Sequence, residues 1–284
     1  MKADVVGNVV RLGSDTAVEL EPGVHDVTRG TPTFSAWSPA TFSLSLGVEQ
    51  NMAPNIERML NGRMRLKRGQ PLYQVGSRFH ALYALRTGTC KSVILARDGR
   101  DQITGYHITG DIVGIDGIAT DAHECEAIAL EDMDVCPLPF EQIDDIARIS
   151  DQFRRNLIKL LSRESTRTRS MMIMLGTMRA DQRLAVFLLD LSQRYRARGY
   201  SSHEFLLRMT RAEIGSYLGL KLETVSRLFS RFQQSGLIEV RARAVKLLER
   251  AALTEIVESG DVDTGDADPV FGIHTMPARA RAAQ

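Results

Sequence analysis

The sequence predicts an α+β chain: an antiparallel β jelly-roll in its first half, then a long helix, then a small helical domain that ends in a hairpin. Three observations carry that expectation. Between residues 51 and 150, short apolar runs such as ALYALRTG and CKSVILARDG are separated by glycines at 69, 76, 88, 99, 105, 110 and 114, the texture of short strands joined by turns. From about Pro139 the apolar period changes to that of helices. The stretch TRAEIGSYLGLKLETVSRLFSRFQQSGLIE, from Thr210, places a capped helix, a glycine and a second amphipathic helix in close succession.

Taken in order, residues 1–50 are rich in Gly, Pro, Ser and Thr and read as a flexible extension; GTPTFSAWSPATFSLSLG reads as loop. Residues 51–150 form the β-roll. FEQIDDIARI follows as a short helix. Residues 151–178 form one long helix whose stripe begins at Phe153 and runs through Leu157, Leu160, Leu161, Thr168, Met171, Met172 and Leu175. A long helix with a narrow apolar seam suits dimerisation, so Leu157, Leu160, Leu161, Met171, Met172 and Leu175 are the expected dimer contacts. Residues 179–253 hold the helical domain: RADQRLAVFLLDLSQRYRARG as an amphipathic helix ended by Gly199, the two helices from Thr210, and LIEVRARAVKLLE as a hairpin. Residues 254–284 read as a frayed, disordered tail.

The two helices after Thr210 carry the function. Thr210 and Glu213 have capping-box spacing, and Gly219 permits the tight turn. At 100° per residue, Val225, Leu228, Phe229 and Phe232 share one side of the second helix, while Glu223, Arg227, Ser230 and Gln234 fall opposite, with Ser226 on the flank. A helix held by its apolar face and offering polar side chains near its N-terminus is the recognition helix of a helix-turn-helix. Arg pairs bidentately with guanine, Glu accepts from cytosine N4, and Ser adapts to either. The bland alternative is a solvated Glu223–Arg227 pair at i,i+4. Context favours DNA: residues 179–250 hold 14 Lys and Arg against 7 Asp and Glu, although the whole chain carries only +1. Lys221, Thr224 and Arg231 lie on or beside the same helix, and Arg241 and Arg243 would touch phosphates from a wing.

These residues resemble the CRP/FNR family of transcription regulators, and its FNR branch in particular, over roughly residues 55–253. The Glu-x-x-Ser-Arg recognition triplet of that branch stands here as Glu223, Ser226 and Arg227. LYALRTGTCKS, DQITGYHITGDIVGIDGI and ALEDMDVCPLPF are similar to its sensor roll, which is of the cyclic-nucleotide-binding type. The resemblance implies a homodimer that binds double-stranded DNA at a TTGAT-N4-ATCAA palindrome, touches RNA polymerase and regulates oxygen- or redox-linked or anaerobic metabolism. Rival readings within this class are a FixK-like regulator controlled by its own abundance and a haem- or thiol-based sensor. A ligand-binding dimer indifferent to DNA would require Glu223 and Arg227 to be inert.

Two departures from the family matter. FNR-type [4Fe–4S] clusters take three ligands from an N-terminal cysteine cluster and one from an internal cysteine. Cys136 matches the internal ligand, but no cysteine precedes Cys90 and the chain has three in all, so no cluster of that type is expected. Only a cluster shared across the dimer would recruit Cys136 or Cys125. The second departure is Lys221, which stands where the family carries a helix-capping Thr. No cyclic nucleotide is expected either: GDIVGIDGIATDAHECEA has the glycines but no arginine, and Asp121, Glu124 and Glu126 would repel phosphate. His123 with Cys125 is a weak metal pair, and His107 reads as structural or as a haem ligand. No nucleotide-binding or hydrolase motif occurs, so no enzyme is expected. Three scattered cysteines, no signal-peptide pattern and no spanning apolar run point to a cytoplasmic protein without a membrane segment.

Overall fold

The glycine-punctuated segment folds into two facing antiparallel sheets because its strands bury one side and turn at residues that tolerate positive φ, such as Gly88 and Gly110. The computed structural model describes residues 62–95 and 101–259, together with the backbone of β1 (Val5–Val6), β2 (Val9–Arg11) and β3 (Ala17–Glu19). Those three valine-rich strands pair as a meander within a separate unit, in a region where the sequence predicts only a flexible extension. The predicted loop at 30–47 and the tail beyond 259 lie outside the described residues.

The roll comprises β4 (Met64–Leu66), β5 (Pro71–Tyr73), β6 (Ala81–Thr87), β7 (Thr89–Leu95), β8 (Asp101–Ile108), β9 (Ile112–Val113), β10 (Glu126–Ala129) and β11 (Met133–Pro139). One sheet has the order β5-β10-β7-β8 and the other β4-β11-β6-β9. Leu66, Leu72, Leu85, Val113, Ala127 and Val135 fill the space between them. Helix α1 (Phe140–Ile149) closes one end, with Ile143 and Ile146 against Phe79, Leu82 and Leu138.

Helix α2 (Asp151–Thr177) starts at Ser150, whose hydroxyl accepts from the Phe153 amide at 3.2 Å. At about 1.5 Å per residue it is roughly 40 Å long. Only part of the predicted seam is free. Leu157 packs on the roll cluster, and Met171 and Leu175 pack on the core of the following domain. Met172 is 67% exposed, as is Ile158 at 57%. The outward stripe is therefore Ile158, Leu161, Ser165, Thr168 and Met172, with alternating spacings of four and three. The helix is apolar on two faces, and periodicity alone does not say which one meets its own chain.

The remaining elements are α3 (Ala180–Arg196), β12 (Glu204–Leu206), α4 (Arg211–Leu218), α5 (Leu222–Gln234), β13 (Ile238–Arg241), β14 (Ala244–Leu247) and α6 (Arg250–Glu258). The last three strands form a sheet in the order β12-β14-β13. Strand β12 is too short to show alternation in the sequence. Helix α6 runs past the predicted boundary at 253 into the segment read as tail, because Ile256 and Val257, one turn beyond the buried Leu253, also pack against the domain core.

One apolar cluster crosses from the roll into this domain: Val93, Ile103, Tyr106 and Ile108 join Phe187, Leu188, Leu191 and Tyr217. Polar bonds frame it. The Asp111 carboxylate receives Arg194 and Arg198 of the α3 end, and the Tyr106 carbonyl accepts from Arg194 at 2.9 Å and Arg167 of α2 at 3.3 Å. Burial alone would push the Asp111 carboxyl up; Arg194, Arg198 and Arg167 outweigh it and hold it well below the usual carboxylate range.

His107 is buried in this frame, with Nε2 2.8 Å from Ser92 Oγ. Burial pushes its imidazole down from 6.5 to about 3, against an upward pull from Asp111. The unfolded chain thus takes this proton first, and stability falls as pH drops from 6.5 toward the folded value of about 3. His107→Gln keeps a neutral hydrogen-bonding group there. We predict that its urea midpoint drops less than the wild type's between about pH 7 and about pH 5; equal drops would contradict this assignment.

Candidate nucleic-acid interface

Helix α4 begins with the predicted capping box: Thr210 Oγ1 accepts from the Glu213 amide at 3.2 Å and Glu213 Oε2 accepts from the Thr210 amide at 2.7 Å. It ends at Gly219, whose φ of 63° and ψ of 38° are left-handed. Gly215 faces the turn so closely that a Cβ there would collide with the Leu220 carbonyl. The two helices are thereby locked as a pair, and Val225, Leu228, Phe229 and Phe232 are buried beneath α5. Arg211 reinforces the pair by stacking its guanidinium 3.2 Å from the Phe229 ring centroid, where burial lowers its pKa to about 10.

With that face committed, the opposite one is open. Lys221, Glu223, Ser226, Arg227, Ser230 and Arg231 are exposed and Thr224 is half-buried. Among the described residues, the Glu223–Arg227 ion pair that i,i+4 spacing permits is not made, and both side chains are exposed. Ser230 bonds back to the Ser226 carbonyl at 3.1 Å, and Arg231 pairs with Asp181 of α3 at 3.1 Å. Arg231 is thus tied toward its own domain, a pairing 50 residues apart that the helical wheel did not show. On the wing, Arg241 pairs with Glu239 at 2.6 Å while remaining largely exposed, and Arg243 is exposed beside Ala242, whose φ is 53°. Arg211 and Arg243, with Thr210 and Ala242, also line a cavity of about 120 Å³ between the wing turn and α4.

The roll interior bears on cofactors. Asp116 Oδ2 accepts from the backbone amides of Glu124 at 2.9 Å and Cys125 at 3.3 Å, donors of the kind a phosphate would use. The Asp116 carboxylate thus occupies both of these donors. His123 stacks 3.7 Å from the Tyr73 ring centroid, with Nδ1 3.4 Å from Asp116. No cluster of three or more metal-ligating side chains occurs among the described residues. Cys90, Cys125 and Cys136 are buried and in no disulfide. Burial pushes the Cys125 thiol up to about 12 and Cys136 to about 11, and raises Cys90 further. Burial thus favours the thiol over the thiolate at all three positions.

A β-roll joined through a long helix to a winged helix-turn-helix defines a DNA-binding regulator. Residues 63–150 match the cyclic nucleotide-binding domain family and residues 182–256 the Crp-like helix-turn-helix domain family. The chain is 44% identical over 212 residues to the transcriptional regulatory protein Btr of Bordetella pertussis, covering 75% of this chain and 88% of the relative. It is 41% identical over 216 residues to the transcriptional activator protein Anr of Pseudomonas aeruginosa, covering 76% and 88%. It is 39% identical over 201 residues to the fumarate and nitrate reduction regulatory protein of Escherichia coli, covering 71% and 80%. The solved structure of FixK2 from Bradyrhizobium japonicum aligns with a TM-score of 0.64 at 30% identity, over 68% of this chain and 96% of that one. The chain belongs to the CRP/FNR family of transcription regulators. Among the described residues no helix is long and apolar enough to cross a membrane.

Lys221 occupies the N-cap of α5 with φ −72° and ψ 151° and gives no side-chain cap, as its substitution for Thr implies. Lys221→Thr should restore one and raise stability by about 1 kcal/mol, while removing one cation from the DNA side. Urea unfolding combined with salt-titrated DNA affinity checks both; a variant no more stable than the wild type would contradict the cap argument.

Proposed function

We propose that the protein is a homodimeric, sequence-specific transcription regulator that reads a TTGAT-N4-ATCAA palindrome and controls oxygen- or redox-linked or anaerobic metabolism genes. The observation that carries this reading is α5: its apolar face is buried, and Glu223, Ser226 and Arg227 stand open on its first two turns. Arg227 would pair with the half-site guanine, Glu223 with a cytosine, and Ser226 with neighbouring T·A pairs. Lys221 and Arg243 would hold phosphates. The outward stripe of α2, from Ile158 to Met172, would join two copies about a two-fold axis, placing two reading helices about one turn of DNA apart. The names of the relatives, a fumarate and nitrate reduction regulatory protein and an anaerobic regulatory protein among them, support the regulatory theme. The same kinship supports contact with RNA polymerase, a cytoplasmic location and a role in binding rather than catalysis.

A second reading concerns the signal. The likeness to FixK2, together with only three cysteines, all buried, and an Asp116 carboxylate on the Glu124 and Cys125 amides, favours a regulator whose DNA binding needs no cofactor and survives air. Fluorescence titration of air-purified protein on the palindrome tests both readings. We expect tight binding without bound iron or haem. Arg227→Ala should cost about 1–3 kcal/mol per half-site and flatten discrimination at the G·C pair. Arg243→Ala should weaken all sequences alike and lower the salt slope. Unchanged base preference in Arg227→Ala would refute the recognition assignment; binding only after anaerobic cluster reconstitution would refute the cofactor-free reading.

A further inference from the structure

We infer that Lys91 and Ser216 are positioning residues that fix the helix-turn-helix against the β-roll and so set the half-site spacing that the dimer accepts. The inference rests on the proposed palindrome reading. Helix α4 is the platform on which α5 is mounted, and it meets the roll along its length. Near its start, Lys91 Nζ of β7 lies 2.7 Å from Glu213 Oε1, with the two side chains only 18% and 22% exposed. Glu213 uses its other oxygen for the capping box, so one carboxylate joins the helix start to the roll.

In the middle of α4, Ser216 completes the edge of a sheet. Strand β8 is the outer strand of its sheet, and edge strands leave backbone groups unpaired. The Ser216 hydroxyl accepts from the Ile103 amide at 3.0 Å and lies 3.3 Å from the Asp101 carbonyl, to which it donates. Gln102 Nε2 donates to the Ser216 carbonyl. At the far end, Arg183 of α3 donates to the Leu218 carbonyl at 3.1 Å and to the Leu175 carbonyl of α2 at 2.7 Å. The platform is thus gripped by the roll from one side and tied to α2 from the other. In a dimer built on α2, the angle between α2 and α4 fixes the distance between the two reading helices. Lys91 and Ser216 point into this joint and not toward DNA, so their effect falls on spacing and not on base choice.

The test measures affinities on TTGAT-Nn-ATCAA duplexes with spacers of three, four and five base pairs, and on the four-base-pair duplex with the half-site G·C replaced. Wild type, Lys91→Gln, Ser216→Ala and Lys91→Arg are compared, with dimerisation and folding checked by sedimentation and circular dichroism. Lys91→Gln leaves the capping box intact. Wild type is expected to prefer the four-base-pair spacer. Lys91→Gln and Ser216→Ala are expected to reduce that preference by about threefold or more while keeping discrimination at the G·C pair, and Lys91→Arg to retain it. Folded, dimeric variants with the wild-type spacer preference would overturn the inference and leave the palindrome reading standing. A wild type that binds no palindrome would remove both.

Discussion

The structure depends on the burial of one face of α5. Val225, Leu228, Phe229 and Phe232 are each less than a tenth exposed, and fully burying such side chains stabilises by about 1.5–3 kcal/mol apiece. That commitment leaves the helix no freedom to rotate about its axis. Glu223, Ser226 and Arg227 are therefore presented to solvent as a fixed set, on the turns nearest α4. The basic surroundings and the wing have a partner to serve only because of that presentation.

A second constraint decides where this face points. The roll and the helical domain share one apolar cluster, and the aromatic side chains of Tyr106, Phe187 and Tyr217 follow one another across the joint at 6.3 and 5.8 Å. Around that apolar centre the polar contacts are charged and largely shielded: Asp111 with two arginines, Lys91 with Glu213, and Arg208 with Glu131 at 2.9 Å. Removing one partner of such a pair leaves the other charge shielded and unpaired, which disfavours any rearrangement that would separate them.

Much of this was legible in the sequence where the signal is local. The capping box at Thr210, the turn at Gly219, the start of α5 at Leu222 and the uncapped Lys221 follow from residue types a few positions apart. The roll was legible from its glycines and apolar runs. What was hidden is long-range. Lys91 meets Glu213 across 122 positions and Arg194 meets Asp111 across 83, separations that no periodicity marks. The α2 seam is half legible: its apolar residues stand out in the sequence, but Met171 and Leu175 turn inward while Ile158, outside the expected stripe, turns out. The end of helix α6 is hidden because Ile256 and Val257, which pack on the core, sit beside an acidic and Gly-rich stretch that reads as tail.

The central claim is that α5 reads DNA as one of a symmetric pair. The most direct measurement is selection of bound duplexes from a fully randomised pool by the air-purified protein, followed by sequencing. The account predicts an inverted repeat of TTGAT-like half-sites about one helical turn apart. A pool that yields no two-fold motif, or one with a single unpaired half-site, would contradict it.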